Sequence, residues 1–193
     1  MIKADEKHKG RVKDLLADCF ASNKSVNYIV KQDEKRMERV RALIDYSFDF
    51  CINSDGVYLT DDLSGVVISH HSDDKLPVFE EWLLTFKFIF RVSGITGIDR
   101  ALKREKYIKS FHPQDQEYIY IWFIGVDASQ QGKGVGSQLL QHMIDKSVAE
   151  QIPVYLETSV EKNLPFYQKH GFEVFHVEEK LFDYKLYFLR RKP

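Results

Sequence analysis

The segment that most constrains the fold is an apolar stretch followed by a glycine-rich loop and an amphipathic helix. It reads FIGVDASQQGKGVGS over residues 123–137, and Leu139, Leu140, Met143 and Ile144 then recur at helical spacing. Glycines let the backbone approach a ligand closely, and a helix start presents unpaired N–H groups and the positive end of the helix dipole. The segment therefore predicts a strand, an anion-binding loop and a helix, in that order.

The loop differs from two common phosphate-binding motifs. It lacks the Gly-Lys-Ser/Thr ending of a P-loop, and its glycine spacing misses the dinucleotide fingerprint. A plain glycine-rich turn between a strand and a helix is the alternative at this point.

Helical and strand patterns alternate along the rest of the chain. Predicted helices cover roughly residues 12–20, 33–53, 78–92, 99–110, 134–150 and 163–170. Predicted strands cover roughly residues 56–60, 65–69, 117–126, 153–158, 172–177 and 185–189. Helices interleaved with strands imply an α/β protein whose mixed sheet is covered on both faces. Because no repeat or linker interrupts the 193 residues, we expect one domain over residues 1–193.

Composition narrows the class of partner. Hydrophobic residues make up 44% of the chain and charged residues 30%, with a net charge of -1, so no nucleic-acid partner is expected. Lys87 and Arg91 interrupt the apolar stretch from Trp82 to Ile98, which predicts a buried or cleft-lining helix and no membrane span. The aromatic side chains that could line an acceptor cleft, although most fit a core role, are Tyr58, Trp82, Phe86, Phe90, Tyr118, Tyr120 and Trp122.

The cysteines and histidines offer no metal site. Cys19 and Cys51 lie on the apolar faces of predicted helices, which suits small core residues in a reducing compartment, and the cytoplasm is the expected location. His70, His71 and His112 invite a metal interpretation, but their spacing does not pair them as ligands.

A second block, YLETSVEKNLPFYQKHGF over residues 155–172, decides between the alternatives for the loop. Gln131, Gly134 and Gly136 match a Gln/Arg-x-x-Gly-x-Gly/Ala signature. The second block matches an Asn…Phe-Tyr-x-Lys-x-Gly-Phe pattern at Asn163, Phe166, Tyr167, Lys169, Gly171 and Phe172. Together the blocks resemble the GNAT superfamily of N-acetyltransferases, and residues 156–167 are similar to its puromycin N-acetyltransferase-like members. The specific match covers roughly residues 118–172.

The resemblance implies a mostly antiparallel sheet with splayed central strands and acetyl-CoA as the co-substrate. It implies that the backbone of Ile124, Gly125 and Val126 meets the pantetheine arm, and that Asn163 binds the arm or fixes the last strand. A helix N-cap is the other role open to Asn163. The residues that would hold the pyrophosphate are Gln131, Gly132, Lys133, Gly134, Val135, Gly136 and Ser137. Lys133 could equally be an exposed, solvated lysine.

Two side chains are candidates for the chemistry. Tyr167 would protonate or hydrogen-bond the CoA thiolate that leaves, although a tyrosine at this place could also be an ordinary core residue. Glu157 lies on a predicted strand and could accept the amine proton through water or hold the amine. A glutamate tied to a backbone N–H or to a lysine is its alternative.

Three functions fit these residues. The first is transfer of the acetyl group of acetyl-CoA directly to a primary amine of a small molecule. The second is acetylation of a protein or peptide, and the third is a CoA-binding regulatory module without activity. Intact Tyr167, Asn163 and loop glycines favour an enzyme, and a homodimer is compatible with the sequence.

Overall fold

The computed structural model describes residues 1–75 and 77–193 and contains one seven-stranded sheet. Its strands are β1 (Ile2–Lys3), β2 (Val57–Leu59), β3 (Gly65–His71), β4 (Ile119–Val126), β5 (Val154–Thr158), β6 (Glu173–Glu178) and β7 (Leu186–Arg191). They are arranged in the order β1-β2-β3-β4-β5-β7-β6. β4 and β5 are parallel, and the other neighbouring pairs are antiparallel. The mixed, mostly antiparallel sheet confirms the predicted α/β fold class.

Helices flank this sheet. In the part of the chain that the structure describes they are α1 (Lys9–Phe20), α2 (Lys24–Ile29), α3 (Arg36–Cys51), α4 (Val78–Phe88), α5 (Ile98–Lys109), α6 (Val135–Glu150) and α7 (Leu164–Lys169). The pairs of elements in contact include α1 with α3, α1 with β4, and α6 with β3, β4 and β5.

Strand β3 shows why both faces of the sheet are covered. Successive side chains of a strand point to opposite faces. Val66 and Ile68 pack into a core that includes residues of α1 and α3, whereas Val67 packs with Leu139 and Leu140 of α6. The predicted coverage of both faces is therefore confirmed.

The central strands separate after two residue pairs. β4 pairs with β5 only at Ile119 with Val154 and at Tyr120 with Tyr155. β4 continues beside β3 as far as the pair of Val126 with Gly65. A strand edge without a neighbour leaves backbone N–H and C=O groups free for other partners. The predicted splaying is confirmed, and it opens a wedge between the two strands.

Trp122 is an extra residue in β4. Ile68 pairs with Phe123 and Ser69 with Ile121, so no β3 residue stands opposite Trp122. A bulge of this kind bends its strand and increases the local twist. It lies next to the place where β4 leaves β5, and the bend favours that separation.

Helix α4 corrects one expectation. Trp82, Phe86 and Phe90 are 65%, 48% and 53% exposed. The rings of Trp82 and Phe86 stack, and those of Phe86 and Phe90 meet at a tilt. The helix packs against α3, and its Leu84 is buried. Because these three aromatic residues are largely exposed, the prediction of a buried or cleft-lining helix is wrong for them.

The apolar stretch that contains α4 is also interrupted. A wider π-helical turn occupies Ile89–Ser93, and Gly94 follows with a φ of +66°. Within residues 1–75 and 77–193, no helix has the length and apolar character needed to cross a bilayer.

Two short elements were not predicted. β1 has two residues, and α2 has six, of which only Val26 is buried. Periodicity needs more than one or two turns to be visible. Helix α2 is instead begun by a cap, because Oδ1 of Asn23 accepts the backbone N–H of Val26 at 3.0 Å.

Candidate active site

The glycine loop connects β4 to α6. Gly132 and Gly134 have φ values of +79° and +88°, a left-handed conformation that residues with a Cβ rarely adopt. A Cβ added to either glycine would meet nothing within 4 Å, so the backbone conformation and not crowding requires them. Helix α6 begins at Val135, immediately after Gly134.

Several backbone donors of the loop are free. Among the described residues, no group accepts a hydrogen bond from the N–H of Gly132, Gly134, Val135, Gly136 or Ser137. The first N–H groups of a helix have no partner within the helix, and the helix dipole adds partial positive charge there. The loop therefore forms a set of donors suited to an anion such as a diphosphate.

The loop side chains differ in their surroundings. Nε2 of Gln131 donates to the carbonyl of Val126 at 3.3 Å, which braces the loop on β4. Nζ of Lys133 is exposed and donates to Oε1 of Gln130 at 3.2 Å. Ser137 is half-buried at the helix start. The glycine backbone is thus the part of the loop that is shaped for a ligand.

The three residues at the end of β4 have distinct roles. Ile124 lines the cleft inside the wedge. A Cβ on Gly125 would lie 2.7 Å from Cδ2 of Leu16, so this glycine is needed for close packing of α1. The carbonyl of Val126 accepts the thiol of Cys19 at 3.3 Å in addition to Gln131. Ile124 is therefore the best placed of the three to meet a ligand.

Tyr167 lies in α7 and lines the same cleft. It is 6% exposed, and its ring packs edge-on against Phe166 and Phe172 at centroid distances of 5.2 and 5.9 Å. Burial raises the pKa of Tyr167 to about 12, so the hydroxyl keeps its proton at neutral pH. The ring of Tyr167 therefore packs as part of the core, and its hydroxyl can donate a hydrogen bond.

Asn163 is the residue before α7 and lines the cleft beside Tyr167. It occupies the N-cap position, but its side chain makes no capping hydrogen bond. The N-cap role considered for it is therefore positional only, and among the described residues its side-chain amide has no hydrogen-bond partner, so a ligand can bind it.

Glu157 is held by a buried polar network. Its Oε1 lies 2.8 Å from Nε2 of His112, and its Oε2 accepts the hydroxyl of Tyr120 at 2.6 Å. The hydroxyl of Tyr118 lies 3.2 Å from Nδ1 of His112. Since a carboxylate only accepts, His112 carries hydrogen on Nε2, and Nδ1 can accept from Tyr118. The alternatives of a backbone N–H or a lysine as the partner of Glu157 are wrong.

The proton of Tyr120 is secured by its surroundings. Burial, together with the nearby charge of Glu157, raises the pKa of Tyr120 well above its usual value. Tyr120 therefore acts as a fixed donor to the carboxylate, which keeps Glu157 in one orientation beside the cleft that it lines.

Comparison with known proteins identifies the family of the chain that forms this wedge, loop and cleft. Residues 11–172 match the profile described as the acetyltransferase (GNAT) family. The chain belongs to this family. GNAT acetyltransferases use acetyl-CoA as the acetyl donor, and the free loop amides and the open wedge fit such a ligand.

Individual relatives fall into different substrate classes. The chain is 40% identical over 48 residues to an L-2,4-diaminobutyric acid acetyltransferase of Marinococcus halophilus, which covers 25% of this chain and 27% of the relative. It is 31% identical over 86 residues to N-alpha-acetyltransferase 50 of Danio rerio, covering 42% of this chain and 48% of the relative. The chain thus spans from about a quarter to about half the length of these curated relatives.

A solved structure supports the fold over the whole chain. The Corynebacterium glutamicum protein described as histone acetyltransferase HPA2 and related acetyltransferase aligns with a TM-score of 0.71 and 18% identity. The alignment covers 100% of this chain and 94% of the other. At this identity the likeness establishes the GNAT fold alone.

The histidines form no metal centre in the described part of this GNAT chain. Within it, no group of three or more His, Cys, Asp or Glu side chains could hold a metal ion. His70 lies 2.8 Å from the carbonyl of His71 through Nδ1, and burial lowers the pKa of His70. Cys51 is buried and Cys19 is half-buried, and both are free thiols.

Two polar residues of this GNAT site, Arg104 and His112, were not predicted as site residues, and Tyr120 was predicted only as one of the aromatic side chains that could line an acceptor cleft. Tyr120 and Arg104 line the cleft, and His112 supports Glu157 from behind. Arg104 had a signal in the sequence, because it falls at helical spacing between Ala101 and Ile108, which are both buried. A charged residue within an apolar stripe marks a buried polar site.

Proposed function

We propose that the chain is an acetyl-CoA-dependent N-acetyltransferase that acts on the primary amine of a small molecule. The observation that carries the proposal is one cleft in the β4–β5 wedge that Tyr167 and Glu157 both line, with the donor-rich glycine loop following the open end of β4. An acyl donor, an acid and a proton acceptor can therefore meet in one place.

The donor end of the reaction uses the backbone. When bound, acetyl-CoA supplies the thioester from which the acetyl group is transferred. The amides from Gly132 to Ser137 would hold its diphosphate, and the backbone near Ile124, with the Asn163 amide, would hold its amide-containing arm. Gln131 supports the loop through Val126 and need not touch the ligand.

Tyr167 would stabilise the leaving sulfur. A thiol has a pKa of about 8.5, whereas burial raises the pKa of Tyr167 to about 12. The phenol therefore holds its proton more tightly than a free thiol does, and complete transfer of that proton to the thiolate is not favoured. Tyr167 is better suited to donating a hydrogen bond to the sulfur while negative charge develops there, with the proton itself coming finally from the amine.

Glu157 would receive the first proton that the substrate ammonium loses. Its carboxylate accepts one hydrogen bond at each oxygen, from Tyr120 and from His112, and each oxygen retains a second lone pair. A carboxylate held in this way can bind an ammonium group and accept its first proton, which frees the nitrogen lone pair for attack on the acetyl carbon. The second proton leaves the nitrogen as the C–S bond breaks and goes to the CoA sulfur. His112 is a positioning residue, since it contacts Glu157 from outside the set of residues that line the cleft.

A small acceptor is favoured over a protein by the character of the cleft. The buried carboxylate of Glu157 and the half-buried Arg104 lie beside the aromatic walls of Phe20 and Trp122. This suits a compact polar amine. Acetylation of a protein N-terminus is the second candidate, because the Danio rerio relative carries that name. A non-catalytic CoA-binding module is the third.

The test is release of free thiol from acetyl-CoA with a panel of small amines and of peptides with free N-termini. Turnover of a small amine above that of every peptide is expected. Faster peptide turnover favours the second candidate, and tight acetyl-CoA binding without any turnover favours the third. The single domain over residues 1–193, the cytoplasmic location and a homodimer stay predictions.

A further inference from the structure

Arg104 brings an unpaired positive charge into the cleft. Its Nε donates to the hydroxyl of Tyr184 at 3.0 Å, and its Nη2 donates to the hydroxyl of Ser25. Both acceptors are neutral. Among the residues that the structure describes, no carboxylate lies within ion-pair distance of the guanidinium, although the charge of Glu157 acts on it from further away.

An unpaired guanidinium inside a protein is costly, because desolvation is not repaid by a partner of opposite charge. Arg104 is also the only cationic side chain among the described residues that line the cleft, and Glu157 is the only anionic one. Glu157 does not pair with Arg104, because His112 and Tyr120 hold its carboxylate beyond ion-pair distance of the guanidinium. The cleft thus keeps one positive and one negative group apart.

The guanidinium retains donors for a ligand. An arginine has five N–H groups, and in this structure only Nε and Nη2 of Arg104 have hydrogen-bond partners. Nη1 has none among the described residues. Tyr184 and Ser25 hold the planar group from one side, so its remaining N–H groups are oriented in advance. A planar fork of this kind matches the two oxygens of a carboxylate.

We propose that the acceptor is an amine that also carries a carboxylate, of the amino-acid class, with its carboxylate on Arg104 and its amino group on Glu157. This inference rests on the proposed function. It deepens that function by naming the substrate class of the same site. A single guanidinium suits one carboxylate, whereas a phosphate usually takes several cationic or backbone donors. An amine without an acid group would leave Arg104 unpaired.

The experiment compares matched pairs that differ only in the carboxylate. The pairs are L-2,4-diaminobutyrate with 1,3-diaminopropane, L-lysine with cadaverine, and L-tyrosine with tyramine. For each pair, kcat/KM is measured by thiol release in the wild type and in Arg104→Gln, Arg104→Lys and Lys103→Gln. Lys103 is the matched control, because it is a cation on the same helix that is 76% exposed and paired with Asp99.

We expect the wild type to prefer the acid member of an accepted pair by about 30-fold or more, as for loss of a buried hydrogen-bonded charge partner. Arg104→Gln should reduce that ratio to about one, Arg104→Lys should reduce it in part, and Lys103→Gln should leave it unchanged. Because the ratio is taken within one variant, a general loss of folded protein cancels.

Two outcomes would overturn the proposal. They are an equal kcat/KM for both members of every accepted pair, and a wild-type ratio retained in Arg104→Gln. Absence of thiol release with every pair, by a wild type that binds acetyl-CoA in calorimetry, has a different meaning. It contradicts the small-molecule function itself and removes this inference with it.

Discussion

Nε2 of His112 lies 2.8 Å from Oε1 of Glu157, and the two side chains are only 4% and 3% exposed. One comes from the loop between α5 and β4, and the other from β5. A buried carboxylate is costly unless it is hydrogen-bonded, and this pair supplies the bond. The hydrogen bond fixes the carboxylate of Glu157 beside the cleft, so Glu157 is not a solvated surface glutamate.

The first prediction concerns this pair. Glu157→Gln keeps the shape of the side chain but removes the proton acceptor, so kcat should fall by about 10²–10⁴-fold. If His112 only positions Glu157, His112→Gln should lose at most about tenfold, because its amide nitrogen can replace Nε2, whereas His112→Ala should lose about 10²-fold. Thiol-release rates on an accepted amine and thermal melts of each variant check this. A Glu157→Gln enzyme with normal kcat and a normal melt would remove Glu157 from the chemistry.

The second prediction concerns Tyr167. Tyr167→Phe keeps the ring and its packing on Phe166 and Phe172 but removes the donor. Turnover should fall by about 10²–10⁴-fold with acetyl-CoA affinity nearly unchanged. Calorimetry and thiol release measure the two quantities. A normal rate would show that Tyr167 is a packing residue alone.

The third prediction is the pH dependence that follows from the burial of Tyr167. Because burial raises the pKa of Tyr167 to about 12, the protonated donor persists above the pH at which an ordinary tyrosine, with a pKa of about 10, loses its proton. The fall in kcat caused by phenol ionisation therefore moves upward, and kcat should show no such fall between pH 8 and about 10.5. A decline with a midpoint near pH 10 in the wild type that is absent from Tyr167→Phe would contradict this.

The fourth prediction concerns the loop. Gly134→Asp and Gly134→Asn have nearly the same size, and both must adopt the φ of +88°, which Asn and Asp tolerate better than most residues. The difference in acetyl-CoA affinity between the two variants therefore reports the effect of the negative charge alone. Gly134→Asp should bind acetyl-CoA at least about tenfold more weakly than Gly134→Asn, since it brings an anion to the diphosphate site. Equal affinities in calorimetry would mean that the loop does not bind the diphosphate.

Local features could be predicted because each depends on neighbours in sequence. The glycine loop between β4 and α6, the start of α6 and the placement of Tyr167 before Gly171 and Phe172 all lie within two short blocks. Helix and strand periodicity is also local, which is why the long elements were predicted. The six-residue α2 and the two-residue β1 are too short to carry such a pattern.

Contacts between distant segments could not be predicted. His112 and Glu157 are 45 residues apart, and Tyr120 and Glu157 are 37 apart. Arg104 binds Tyr184 across 80 residues. In the sequence each of these is a single polar residue with several possible partners, and nothing local selects among them.

The sequence by itself therefore determined the strand, loop and helix that suit a diphosphate, and the tyrosine beside them. The tertiary structure decided where the cleft opens and which residues enter it. Pairing of β4 with β5 stops after Tyr120, which opens the cleft, and packing of α5 carries Arg104 into it. It also decided that α4 turns its aromatic row outward, because the helix packs on α3 and buries Leu84 instead. Backbone conformation depends on adjacent residues, whereas burial and charge pairing depend on which segments the folded chain brings together.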